Sequence, residues 1–248
     1  MMYWKIENKT WITEYSSPYP ISRCEYIQGE YSPELDRDTK GELSVYFRDG
    51  RVIKHKIYID LYVRQFGISV SLDGSTLFIP SWYGRLKAVD IISGKVKWRS
   101  VKGAGEIIVD TNYIYCLSRE KTLYKLNITN GSIVDKTSAH KALYNISPRY
   151  LLSRCSEDKW IVISKENLTV TDSFVNENML RSPIKDVFAR DTGLCVLEAS
   201  CDQGGNVVHS MKSYDIALHA KLLCDIVQDE IDCRLDCISS IYGISESN

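Results

Sequence analysis

The sequence is poor in the features that mark an enzyme, an exported chain or a membrane protein. It contains no G-x-S-x-G, no G-x-x-x-x-G-K-[ST] and no G-x-G-x-x-G, so the nucleophile elbow, the phosphate loop and the dinucleotide fingerprint are all missing. Its four histidines, at 55, 140, 209 and 219, include no H-x-H or H-x-x-x-H pair, the spacings that bring two imidazoles to one metal. Convergence of His209 with His219 is set aside in favour of polar tips on strands or loops. No window approaches the roughly 18 uninterrupted apolar residues of a membrane span. MMYWKIENKTW at the start carries Lys5, Glu7 and Lys9 and holds no apolar run of signal-peptide length, so the expected location is the cytoplasm. Nor is there an excess of one charge: 31 basic against 32 acidic residues give no global attraction for nucleic acid or an anionic membrane.

Eight cysteines are scattered through the 248 residues without a C-x-x-C. Free thiols are expected, with Cys116 and Cys195 buried as small hydrophobes. Cys201, in a polar loop, is the candidate reactive thiol. Cys224, Cys233 and Cys237 are weighed as a partial metal site and set aside, because C-x-x-x-C is too wide for the redox or zinc spacing. Asp229 and Glu230 read as a solvated face rather than a tuned acid and base.

What the sequence does contain is a repeat. LDGSTLFIPSWYGRLKAVDIISGKVKW from Leu72 lies over VDTNYIYCLSREKTLYKLNITNGSIVD from Val109 without a gap at an offset of 37. Asp73 meets Asp110, Leu77 meets Ile114, Ser81 meets Ser118, Leu86 meets Leu123, Val89 meets Leu126 and Gly94 meets Gly131. The offset continues into SPRYLLSRCSEDKWIVISKENLTV, where Leu151, Trp160 and Ile163 take the places of Ile114, Leu123 and Leu126. A looser fourth unit, TGLCVLEASCDQGGNVVHSMKSYDIALH, has its middle loop enlarged by CDQGGN. Within each unit, short apolar-polar alternations are separated by turn residues, which predicts three or four antiparallel strands. Units of this length and strand number are the arithmetic of a propeller blade.

The string DIISGKVKW, from Asp90 to Trp98, resembles the turn of the pyrroloquinoline-quinone-like propeller repeat, with Asp, Ser, Gly and Trp at the family's spacing. The resemblance implies a glycine turn and a tryptophan filling the gap between neighbouring blades; it implies a fold and no activity. The quinone-dependent dehydrogenases that own the repeat bind cofactor and calcium over paired cysteines. This sequence has no adjacent Cys-Cys, so neither cofactor nor metal is expected.

The expected fold is therefore all-β: one β-propeller domain over 1–248 with six four-stranded blades, five being the alternative, closed by strands from both termini. In that scheme YWKIENKTWITEY supplies an outer hairpin and IDCRLDCISSIYGIS the inner strands of a shared blade. ISRCEYIQGEY and GELSVYFRDGRVIKHKIYI form a further blade, turning at Arg48-Asp49-Gly50. AKLLCDIVQDEI, from Ala220, has helical spacing and is read as a short inserted helix.

Propellers bind through the loops joining their second and third strands and through the links between blades, which meet at one mouth of the channel. The candidate partner-binding residues there are Trp82, Tyr83, Arg119, Glu120, Glu157, Asp158 and Asp202. Trp82 is also weighed as a cover for the channel mouth. Asp229, Glu230, Asp232 and Asp236 belong to an acidic stretch, Asp225 to Asn248, suited to a basic partner, while Arg85, Lys87, Lys95, Lys97, Arg99 and Lys102 cluster in the first repeat. With no catalytic set, the function expected is protein binding without direct nucleic-acid or membrane contact. The leading form is a cytosolic immunity protein capping a basic antibacterial toxin such as a nuclease. An adaptor or scaffold is the second form, and a lyase or hydrolase centred on the channel the third.

Overall fold

Apolar-polar alternation between turn residues makes strands, and the computed structural model of the chain contains twenty of them and no helix among the residues it describes. Those residues are 6–7, 10–15, 19–31, 38–60, 67–138, 140–156, 159–175, 184–190, 193–201 and 207–214. The helix expected at 220–231 and the C-terminal strands expected at 231–245 lie outside them.

Contacts divide the chain into two compact units, Met1–Ala139 and His140–Asn248. The first holds a five-stranded sheet of β1 (Ile6–Glu7), β2 (Thr10–Glu14), β3 (Ile21–Tyr31), β4 (Asp38–Phe47) and β5 (Val52–Asp60). Two four-stranded sheets follow: β6 (Ser69–Val70), β7 (Thr76–Ile79), β8 (Arg85–Asp90) and β9 (Val96–Lys102), then β10 (Ala104–Val109), β11 (Tyr113–Ser118), β12 (Thr122–Asn127) and β13 (Ile133–Ser138). The second unit holds β14 (Ala142–Asn145), β15 (Tyr150–Arg154), β16 (Lys159–Ser164) and β17 (Val170–Val175), and a three-stranded sheet of β18 (Ile184–Arg190), β19 (Gly193–Cys201) and β20 (Val207–Tyr214).

Within each sheet every strand pairs antiparallel with its neighbour in the chain, and each four-stranded sheet is a propeller blade. Packing in the first unit follows the same plan. Leu43 and Val45 of the first sheet share a core with Leu77, Ile79 and Val89 of the second. The second sheet's other face, through Phe78, Leu86 and Ala88, meets Ile114, Cys116 and Leu126 of the third. The inner strands β6 and β10 approach one another. The protein is thus all-β, built of propeller blades.

The offset of 37 survives in three dimensions. Leu77, Ile114 and Leu151 are fully buried on the second strand of their sheets, and Leu86, Leu123 and Trp160 are fully buried on the third. Each such aliphatic side chain contributes on the order of 2 kcal/mol through apolar burial. The turn after the third strand repeats as well. The amide of Gly94 donates to the Asp90 carbonyl, Gly131 to Asn127 and Leu168 to Ser164. Both glycines have positive φ, 67° and 71°, and the third unit places Leu168 there at 53°, a conformation that costs an L side chain roughly 1–2 kcal/mol.

These turn glycines make room for the preceding sheet. Trp98 of β9 sits where a Cβ on Gly131 would come within 2.5 Å of its ring, and its indole N–H donates to the Ile128 carbonyl at 3.2 Å. Trp98 therefore fills the gap between blades, as the repeat resemblance implies. His55 of β5 does the same one sheet earlier. Its Nδ1 lies 2.5 Å from the Cβ position of Gly94, and its Nε2 bonds the Ile91 carbonyl at 2.6 Å. Since a carbonyl only accepts, Nε2 carries the proton.

Two expectations need correction. The N-terminal hairpin, β1 with β2, is not separate from the next expected blade: β2 pairs with β3 in the register Trp11↔Tyr26, so both strands share one sheet with β3, β4 and β5, while the C-terminal strands expected beside them lie outside the described residues. The edge of that sheet opposite β1 is β5, joined to β4 through the Arg48-Asp49-Gly50 turn, where Gly50 has φ of 90° and donates to the Phe47 carbonyl. The cations of the first repeat do not form one cluster either. β8 and β9 run in opposite directions, so Arg85 and Lys102 pair at one end, while Lys95 lies in the turn at the other.

Candidate partner-binding rim

The loop from Pro80 to Gly84 joins β7 to β8, and the turn from Arg119 to Lys121 joins β11 to β12. Both connect second and third strands, so an up-and-down sheet places them on one edge of their blades. Gly103, the single residue between β9 and β10, ties them together. Its N–H donates to the Gly84 carbonyl at 2.9 Å, and its own carbonyl accepts from the Arg119 N–H at 2.7 Å. It has φ of 67°, and a Cβ there would lie 3.3 Å from that of Arg119 and 3.5 Å from the Trp82 carbonyl oxygen. Only glycine combines that backbone with that proximity at no steric cost.

Trp82, Tyr83, Arg119 and Glu120 are thereby brought to one rim. Trp82 and Tyr83 are half-buried; Arg119 and Glu120 are exposed. The Arg119 guanidinium lies 5.4 Å from the centre of the Tyr83 ring, inside the range of a cation–π contact. Ser81 holds the aromatic loop from within, its Oγ accepting from the Gly84 N–H at 2.8 Å. Ser118 holds the neighbouring turn: its carbonyl accepts from Lys121 at 2.9 Å and its Oγ from the Thr122 N–H at 3.3 Å. Lys121 itself is a non-glycine residue with φ of 61°.

Sequence reasoning missed three members of the rim. Arg85 follows Gly84 and Lys102 precedes Gly103, so the glycine tie sets both exposed cations beside the loops. Lys121 completes the second turn. The readable signal was a glycine immediately after the outer strand, which marks a very short link between blades. The remaining expected partner residues, Glu157, Asp158, Asp202, Asp229, Glu230, Asp232 and Asp236, lie outside the described residues.

The opposite edge offers a cleft of about 380 Å³ between the second and third sheets, lined by Ser71, Asp73, Thr76, Lys97, Thr111 and Thr129 among others. Its groups are engaged with one another. Lys97 donates to Thr76 Oγ1 at 2.8 Å and stands 3.6 Å from Asp90 Oδ2. Bonds from Ser71 and from the Ser75 amide hold the Asp73 carboxyl below its usual range.

Among the described residues a serine–histidine pair occurs in the second unit. His140 Nδ1 lies 2.8 Å from Ser153 Oγ, and both residues are buried. Ser153 sends its hydroxyl hydrogen to the Ala142 carbonyl at 2.9 Å, so the imidazole donates to the serine instead of taking its proton. A nucleophile and its base need the reverse arrangement. Of the thiols, Cys24, Cys116 and Cys155 are unpaired. Burial pushes Cys24 and Cys116 up to about 12. The side chains of Cys195 and Cys201 are not among those described. Among the described residues no three His, Cys, Asp or Glu side chains are grouped to hold a metal.

No family model matches the sequence, and no curated protein does. Among solved structures, the chain is similar to BamB from Moraxella catarrhalis at 12% identity and a TM-score of 0.49, over 77% of this chain and 68% of that one. It is similar to the computationally designed Ika4 protein at 14% identity and a TM-score of 0.43, over 60% of this chain and 92% of that one. At these values the description of the fold rests on the strands themselves.

Proposed function

We propose that this protein is a non-enzymatic cytoplasmic binding module that holds a protein partner on the rim formed by residues 80–85, 102–104 and 118–122. The observation that carries the reading is the double hydrogen bond through Gly103, which fixes an aromatic loop and a charged turn side by side before any partner arrives. Preorganised side chains lose less entropy on association. Tryptophan, tyrosine and arginine are also the residue types that anchor interfaces.

The finer reading is an immunity protein whose partner is a cognate antibacterial toxin domain. It is supported by the absence of catalytic motifs from the sequence. The acidic stretch 225–248, expected to meet a basic face of the toxin, would be a second contact beyond the described residues. Comparative capture tests both levels. The full chain and a Tyr83→Ala/Arg119→Glu variant are immobilised, and proteins from the native host are quantified on each. The rim reading expects a partner whose enrichment falls at least tenfold on the variant; equal enrichment on both overturns it. The immunity reading expects one dominant partner, whose growth inhibition is relieved by co-expressing the chain. A set of several partners lost together indicates an adaptor instead.

A further inference from the structure

We infer that the segment docking on this rim is an acidic stretch of protein, an inference that rests on the rim being the binding edge. Its cations are Arg85, Lys102, Arg119 and Lys121, all exposed, and the carboxylate within the same loops is Glu120. Four positive charges against one negative leave a local excess of three on a chain whose total is −1.

Three exposed cations of the first sheet have carboxylates beside them: Arg51 with Asp49 at 2.7 Å, Lys54 with Glu42 at 2.8 Å and Arg23 with Glu25 at 3.0 Å. Among the described residues none of the four rim cations is ion-paired. Arg85 donates to the Ser100 carbonyl at 2.9 Å, and Arg119 stacks on Tyr83. Both contacts hold a guanidinium in place without neutralising it. A held, unneutralised guanidinium is suited to a bidentate carboxylate bond.

The same chemistry also attracts phosphate, and two features favour protein. Glu120 stands between Arg119 and Lys121, where it tolerates separate carboxylates but opposes a continuous phosphate chain. One face of Tyr83 is covered by Arg119, which removes a platform on which a base would stack. The partner sign is thus opposite to that expected for the acidic stretch 225–248, which lies outside the described residues.

The test uses the folded full chain with three labelled probes: an Asp/Glu-rich peptide, an oligolysine peptide of equal length and an oligothymidylate. The acidic peptide should bind and weaken with added salt. It should lose at least tenfold in affinity on Arg119→Glu/Lys121→Glu and stay within about twofold on Arg51→Glu/Lys54→Glu, with unchanged far-ultraviolet spectra in both variants. Absence of acidic-peptide binding, equal loss on both charge reversals, or tighter binding of the oligothymidylate or the oligolysine overturns the inference. The captured partner separates this claim from the one beneath it. A partner lost on Tyr83→Ala but indifferent to Arg119→Glu/Lys121→Glu removes the acidic segment and leaves the rim standing; retention on both variants removes the rim.

Discussion

Trp98 occupies the space that a side chain on Gly131 would need, with ring carbon Cε3 only 2.5 Å from the Cβ position. Two sheets are joined there by one residue that is large and one that must be small. The ring also packs against Phe78 with centroids 5.9 Å apart.

That relationship predicts strong coupling between the two positions. Gly131→Ala should destabilise the first unit by roughly 2–3 kcal/mol, through the left-handed backbone and the clash together. Trp98→Ala should cost a similar amount through lost packing, about 2–3 kcal/mol. In the double variant the clash is gone, so the combined loss should fall short of the sum by on the order of 1 kcal/mol. Denaturant titration of the four proteins measures this, and simple additivity would count against the clamp.

Among the described residues two non-glycine side chains share the left-handed conformation, and burial makes them respond in opposite directions. Lys121 is exposed, so Lys121→Gly should relieve strain at little packing cost and stabilise the chain by about 1 kcal/mol. Leu168 is buried, so Leu168→Gly gains the same relief but forfeits about 2–3 kcal/mol of apolar burial, a net loss. Midpoints in urea give both signs.

His140 predicts a pH dependence. Burial holds its imidazole below the ordinary value, and its Nε2 has no hydrogen-bond partner among the described residues. The unfolded chain therefore binds a proton near pH 6.5 that the folded chain refuses. Stability from this group is fully present above the unfolded value and is lost as pH falls toward the folded one. His140→Leu should remove that part of the curve. The stability difference between the wild type and the variant should then shrink on going from neutral to mildly acid pH, and a constant difference would contradict the assignment.

The parts of the fold that could be read from residues are those where one physical constraint repeats. Leu77, Ile114 and Leu151 recur because each blade buries the same position of its second strand. Gly94 and Gly131 recur because a left-handed turn lies against a ring from the sheet before. Where the constraint is met differently, the pattern fails. Leu168 takes the glycine position without announcing it, and β6 is two residues long, too short for any alternation to show. The place of β2 follows from its pairing with β3, which its own alternation does not announce. On the rim, Trp82, Tyr83, Arg119 and Glu120 were accessible because loop position follows from strand order. Arg85, Lys102 and Lys121 were not, because their proximity depends on Gly103 standing alone between two strands.

Amide hydrogen exchange of the full chain, alone and with its captured partner, tests the central claim most directly. The account predicts that protection on binding concentrates in residues 81–85, 102–104 and 118–122, with 71–76 and 110–112 on the opposite edge unchanged. Protection confined to that opposite edge or to the outer strands β5, β9 and β13, with the Gly103 loops exchanging as in the free chain, would contradict it.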